Sequence, residues 1–574
     1  MKRDRFLRYP ARWAFFRGDD RPLMIVMAMI VGVGSGLAAL ALNGSLTALF
    51  NALRPYRHAG WAFLFPAFGA MLSALFLEKI MRESPGHGVP EVIDSVMSRG
   101  GKLRFRSGFS RLVAACLTIG SGGSAGPEAP VVISGSSIGS NVAGFFALNE
   151  RQRITLVGCG AAGAIASIFN APIAGMIFAV EVIIGQWSSL NIIPVAVAAV
   201  AGTEISRRLQ GNQIVFSHRV FAIGFGDFMA CIGLAVLTAL VSVLLTRLLR
   251  GMQRFSHGTG WPLWCRAWLG GAAVGGMAVL FPDVLGEGYH AVDTMIAGRY
   301  AGGFALAGVM LLAKILATGC TLGWGGSGGI FAPCLVIGSF SGLFWQRMLV
   351  VAWPAGAWVE EGCFALIGMA GMIGGMLQAP LTGIFLIVEI TGGYDAVLPL
   401  ILVSSLSTVI CRYIEPASFY LKDLVETGRF LLPGTDGRVL ADLSVEELLE
   451  KDCLTVHPGM LLRDFIPVIR KSRRNLFPVA EEGSGRFLGM IHLDDVRPFL
   501  FDTVMYDTVL MEQVMRSPVE TAGPEDNLAD ILKKMDTHHL FSLPVVKDGR
   551  FIGMLSKATL LDQYRKELRV QTDD

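Results

Sequence analysis

Charged residues are scarce in this chain. They make up 17% of its 574 residues, against 52% hydrophobic, and the mean hydropathy is +0.53. A soluble protein cannot hide that much apolar surface, so a wholly soluble fold is excluded. The net charge of +3 is too small to argue for a nucleic-acid partner. Nine cysteines occur without a CxxC pair, mostly inside apolar runs, and read as small packing residues rather than ligands or disulfides. No HExxH pair offers a zinc site. The letters GxSxG appear as GGSAG (122–126), GSSIG (135–139) and GGSGG (325–329), without a preceding soluble strand or evident His and acid partners. Neither an enzyme nor a metal site is expected. The apolar run that begins at Leu23 is too long for a signal peptide and reads as a first span.

Uncharged runs dominate up to about residue 412, including 23–49, 61–77, 154–180, 228–245 and 364–388. Several reach the roughly 20 residues that a spanning helix needs, and others are broken by Gly and Pro. Beyond about residue 434 the sequence turns charged, as an ordinary soluble domain does. The expected organisation is an N-terminal segment 1–22, a membrane domain 23–424, a linker 425–440, two soluble units 441–502 and 503–566, and a tail 567–574. The basic start and the basic loop RGGKLRFR (99–106) place the N-terminus and that loop in the cytoplasm.

The chain resembles itself. GSGGSAGPEAP (120–130) aligns without a gap on GWGGSGGIFAP (323–333), and FNAPIAGMIFAVEV (169–182) aligns on LQAPLTGIFLIVEI (377–390). The second pair carries Glu181 and Glu389 at matching positions. Repeated halves with Gly and Pro interruptions in corresponding places are the mark of a transporter built from broken helices. Glycine lets the backbone leave the helix, and proline suits the first turn of the next one. A helix that starts within the membrane aims free N–H groups and its positive dipole end at one point, which suits an anion. Three such starts are GHGVPEV (86–92), GPEAP (126–130) and GGIFAP (328–333).

These motifs resemble those of the CLC family of chloride channels and proton-coupled chloride antiporters. The matching residues are Gly86-His87-Gly88-Val89-Pro90, Gly126-Pro127-Glu128-Ala129-Pro130, Gly329-Ile330-Phe331-Ala332-Pro333, and Tyr420 in ASFYL. The resemblance runs from about Leu23 to Leu424. It implies an all-α polytopic membrane domain of two inverted repeats with broken helices, in a homodimer with one anion pathway per subunit. It also implies that Glu128 is the gate, its carboxylate competing with chloride for the helix starts. His87, Gly88, Val89, Gly126, Ile330, Phe331 and the Tyr420 hydroxyl would line the anion site. A protein of this kind sits in lipid, here expected to be a bacterial inner membrane.

Three departures qualify the resemblance. His87 replaces a serine, which leaves the anion preference open, fluoride included. Pro127 replaces an arginine. Val182 stands where the antiporters carry an inner proton-transfer glutamate, with Glu181 one position earlier and about 100° around a helix. Glu181 is either a displaced proton relay or, with Glu389, part of a shared structural pair. The missing relay tilts the expectation towards a passive channel, with a proton-coupled antiporter as the alternative. A ligand-sensing membrane protein is a third reading.

The soluble part repeats as well: NLFPVAEEGSGRFLGMIHLDDV (475–496) on HLFSLPVVKDGRFIGMLSKATL (539–560). Helical stretches precede them at 461–473 and 527–537, with VHPGM (456–460) and SPVETAGPED (517–526) as leading strands. This resembles a tandem CBS pair, a cytoplasmic α/β module. Such pairs often bind adenine nucleotides, but the Ser/Thr…Asp pattern is split between His492 with Asp495 and Ser556 with Thr559. A mixed site of Asp495, Ser556 and Thr559 stays open, while a dimerising and gating platform with no required cofactor is the plainer expectation.

Overall fold

The computed structural model describes residues 21–56, 60–83, 88–212, 216, 220–427, 443–472, 474–517 and 520–573. His87, most of the N-terminal segment and most of the expected linker lie outside them. The chain forms two compact units, Met1–Phe430 and Leu431–Asp574.

The first unit is helical. Eight described helices are long and apolar enough to cross a membrane, from Arg21–Tyr56 to Val397–Glu426. Their side chains sort by surroundings. On Phe225–Gly258, Met229, Ile232, Val236, Leu240 and Leu244 face outward, while Ala235, Thr238, Ala239 and Ser242 are buried. Large apolar groups thus point where lipid would be, and small groups let neighbouring helices approach.

The breaks are where the glycines predict. The helix Phe105–Gly120 ends, Gly122 takes φ +113°, and a new helix begins as Glu128–Phe145. The second half repeats this with Phe304–Gly323, Gly325 at φ +105°, and Phe331–Ala352. Such φ values favour glycine. Backbone freed by the two breaks is satisfied across them. Gly126 N–H donates to Gly329 O at 2.8 Å and Gly329 N–H to Gly126 O at 2.6 Å. Ser124 N–H donates to Thr321 Oγ1 at 3.0 Å, and Ser327 N–H to Thr118 Oγ1 at 3.2 Å. Every bond has a counterpart running the other way, as a two-fold axis between inverted halves requires.

The second unit holds two antiparallel hairpins, Leu476–Ala480 with Phe487–His492, and Ser542–Lys547 with Arg550–Ser556. Val456 and Ala522 each extend a hairpin in parallel, next to Val479 and Val545. The helices Leu462–Lys471 and Leu528–Thr537 cover them. The two halves of this unit exchange their leading segments. Leu443, Val445 and Leu448 pack into the core around Leu543 and Leu555, and Val509 and Met511 into the core around Phe477 and Ile491. Glu450 is thereby paired, main chain to main chain, with Met554 of the second hairpin. The all-α membrane domain followed by an α/β module is the architecture expected from the sequence.

Candidate anion site

Three helix starts meet at Glu128. Its own helix begins there, with Pro130 in the first turn, where a missing N–H costs nothing. The helix Phe331–Ala352 begins beside it, and Ala332 N–H donates to Glu128 Oε2 at 3.4 Å. The helix Val89–Ser98 begins after Gly88, where an added Cβ would lie 3.0 Å from Ala129 O. Gly126 lies directly under the carboxylate: a Cβ there would fall 2.0 Å from Oε2. Glu128 is 1% exposed. A carboxylate buried that deeply needs donors, and the helix starts supply them.

Val89, Ile330 and Phe331 are buried, and Phe331 packs tilted against Phe169 and edge-to-face against Phe178, with centroids 5.6 and 6.0 Å apart. Tyr420 is buried near the start of the helix Phe419–Glu426, within electrostatic range of Glu128.

Sequence reasoning missed one direct partner. Tyr289 Oη donates to Glu128 Oε1 at 3.0 Å, from the start of the short helix Tyr289–Ile296. Glu287, two residues earlier, also interacts electrostatically with Glu128. The signal was present, because Gly286-Glu287-Gly288 echoes Gly86-His87-Gly88, each followed by a short helix.

Glu181 is not brought to this point as a free acid. Its carboxylate accepts Leu381 N–H at 3.2 Å, Thr382 N–H at 2.8 Å and Thr382 Oγ1 at 2.7 Å, capping the helix Pro380–Thr391. Glu389 does the same for the helix Pro172–Phe178, through Ile173 N–H at 3.0 Å and Ala174 N–H at 2.7 Å.

In the second unit, Ser556 Oγ donates to Glu450 Oε1 at 2.7 Å, and Thr559 Oγ1 also bonds that oxygen. Arg474 pairs with Glu450 and Asp452, and Arg516 with Asp495. The three candidate nucleotide contacts, Asp495, Ser556 and Thr559, therefore all have protein partners. His492 is exposed at the end of its strand.

The chain matches the voltage gated chloride channel family over residues 68–412, and the CBS domain over 445–502 and 511–566. A putative chloride channel protein ClcB-like of Ralstonia nicotianae is 28% identical over 417 residues, covering 70% of this chain and 96% of that protein. The H(+)/Cl(-) exchange transporter ClcA of Yersinia pestis is also 28% identical, over 71% of this chain and 89% of that one. Among solved structures, a slow cyanobacterial Cl-/H+ antiporter superposes with a TM-score of 0.63 at 23% identity, over 70% of this chain and 97% of that one. A eukaryotic CLC transporter gives 0.62 at 17% identity, over 93% of this chain and 97% of that one. Family match, repeated halves and convergent helix starts agree: the chain belongs to the voltage gated chloride channel family, as a membrane anion-transport protein with two CBS domains behind it.

Proposed function

We propose that this protein exchanges chloride for protons across a membrane, with Glu128 as the group that meets both. The observation that carries this reading is the buried Glu128 carboxylate at the meeting of helix starts, held by Tyr289 Oη and Ala332 N–H. As a carboxylate it fills a place suited to chloride. When it takes up a proton it no longer competes as an anion, and chloride can enter. One group thus links proton uptake to anion entry.

Exchange replaces the passive channel as the leading reading. Relatives bearing the name exchange transporter support it, although one relative is named a chloride channel. The channel reading rests on the empty relay position at Val182, and Glu181, one position earlier, is hydrogen-bonded as a helix cap. On this reading the inner proton step falls to Glu181 leaving its cap, to other groups or to water.

Val89, Ile330, Phe331 and Tyr420 would line the anion's place, with Gly88 and Gly126 giving the backbone close approach and His87 two residues ahead of Val89 in the chain. On this reading the protein is a homodimer in a bacterial inner membrane, with its N-terminus and CBS domains cytoplasmic. The CBS pair serves as a gating and dimerising platform, and an adenine nucleotide would have to displace Glu450 from Ser556 and Thr559.

The test is reconstitution into liposomes under a chloride gradient, recording chloride efflux and internal pH together. Uphill proton movement, lost in Glu128→Ala, is the expected result. Chloride efflux with no uphill proton movement would return the passive channel to first place.

A further inference from the structure

Lys314 has no exposure to solvent at all, although it lies within the spanning helix Phe304–Gly323. Its ammonium donates to Val284 O at 3.0 Å and to Gly286 O at 2.9 Å. Gly288 approaches so closely that a Cβ there would lie 3.1 Å from Nζ. The loop between Phe281 and Tyr289 is thus folded around one buried cation. Such a charge needs a counter-charge nearby. The residue held between these contacts is Glu287, which interacts electrostatically with Lys314. Asp283 is a second carboxylate acting on Lys314. Two positions on from Glu287, Tyr289 bonds Glu128.

The internal two-fold gives this cluster a meaning. Gly88 and Gly288 both adopt positive φ, +80° and +90°, and each precedes a short helix, Val89–Ser98 and Tyr289–Ile296. Lys314 lies as far beyond Arg111 as Gly329 lies beyond Gly126, so the two cations are repeat mates. Arg111 is buried too, and pairs with Glu91 in the first turn of the helix Val89–Ser98. Each half therefore keeps a buried cation near the start of its short helix. Between the two glycines that precede the short helix, where the first half has His87, the second half carries an acid, Glu287.

We propose that Glu287 is a proton-exchange station for Glu128, poised by Lys314 and linked to the gate through Tyr289. The Tyr289 hydroxyl passes its proton to the Glu128 carboxylate, and a proton from the Glu287 carboxyl, directly or over a water, restores the phenol. Glu128 ends neutral and Glu287 ends anionic beside Lys314, so no buried charge is stranded. The reverse transfer reloads Glu287. Among the described residues, the titratable groups around Glu128 are Glu287, Tyr289, Cys334 and Tyr420, and of these only Glu287 has a cation as neighbour. Glu287 is also less deeply buried than Glu128.

This proposal rests on Glu128 being the gate, and the experiment separates the two. Chloride flux through the full-length protein in liposomes is measured against bath pH for wild type, Glu128→Ala, Glu287→Gln, Glu287→Asp and Tyr289→Phe, with proton flux in parallel. Without the Glu287 carboxyl, Glu128 loses the group from which it takes its proton. Glu287→Gln is expected to move the flux midpoint to lower pH by about one unit, a tenfold change in proton concentration. It is also expected to cut proton flux per chloride about tenfold or more. Glu287→Asp recovers most of both, and Tyr289→Phe loses proton flux as Glu287→Gln does. If Glu287→Gln keeps the wild-type midpoint and ratio while Glu128→Ala abolishes the pH dependence, the station is wrong and the gate stands. If Glu128→Ala keeps the wild-type pH dependence, the gate fails and the station falls with it. Should Glu287→Gln not fold, Tyr289→Phe decides between the same outcomes through its proton flux.

Discussion

Glu181 and Glu389 cap one another's helices. Each carboxylate bonds two backbone N–H groups at the start of the short helix that runs on into the other glutamate, Leu381 and Thr382 for Glu181, Ile173 and Ala174 for Glu389. Both helices begin with a proline after an alanine, and in both the preceding residue, Asn170 or Gln378, turns with positive φ. A helix starting inside a membrane would otherwise leave these N–H groups bare. The exchange ties the two halves together at their shared axis.

The reciprocity predicts equal effects. Glu181→Gln and Glu389→Gln each keep the side-chain shape but remove a charge from a helix start, which costs about 1 kcal/mol. Both should lower the thermal midpoint of the detergent-solubilised protein by similar amounts, measured by loss of monodispersity on heating. Proton flux per chloride should change in neither relative to the other. A selective collapse of proton flux in Glu181→Gln alone would make Glu181 a relay as well as a cap.

Glu450 sets an acid limit on the soluble unit. Burial by itself raises its carboxyl, but hydrogen bonds from Thr559, Arg474 and Ser556 outweigh that and hold it below the usual range. With the folded value depressed, the unfolded chain takes up this proton first as pH falls. The stabilisation is complete above about pH 4.3, the ordinary glutamate value, and is lost as pH drops through the folded value. Hydrogen exchange on the full-length protein, corrected for intrinsic rates, should show residues around 450 and 556–559 losing protection between those limits. Glu450→Gln should lower protection at pH 7 and flatten that dependence. An unchanged acid response in the variant would mean that another group sets the limit.

The sequence revealed most where chemistry and backbone coincide. The helix starts at Gly88, Glu128 and Phe331 were legible because glycine and proline are needed there whatever surrounds them. The hairpins of the soluble unit were legible from alternation and from the glycines in their turns. Tyr289 was not, because its bond to Glu128 joins residues far apart in the chain, and the echo of Gly86-His87-Gly88 in Gly286-Glu287-Gly288 marks a helix start without saying what its tyrosine touches. Lys314 was visible as a charge inside a span, but only the fold shows the loop wrapped around it. The exchanged leading segments of the two CBS domains were also hidden. Leu443, Val445 and Leu448 look alike whichever core they join. That exchange is what carries Glu450 to Ser556, and it alters how the split nucleotide pattern reads: the two hydroxyls are already hydrogen-bonded.

Gly126, by lacking a side chain, gives the Glu128 carboxylate its seat. An added methyl would lie 2.0 Å from Glu128 Oε2 and 2.8 Å from the Ala332 Cβ. The alanine side is packed, while the glutamate side chain can rotate, so the carboxylate is what gives way. Gly126→Ala should therefore push Glu128 out of the anion's place without removing it. Chloride flux at neutral pH should rise several-fold, and its dependence on pH should flatten, because protonation is no longer needed to clear the path. Gly329→Ala is the control. Its methyl would meet the Ala129 Cβ and N at 3.0 Å rather than the carboxylate, so it should disturb packing and leave the pH dependence in place. If both variants behave alike, the effect is general damage to the paired breaks. If only Gly126→Ala loses its pH dependence, the seat beneath Glu128 is what makes the gate close.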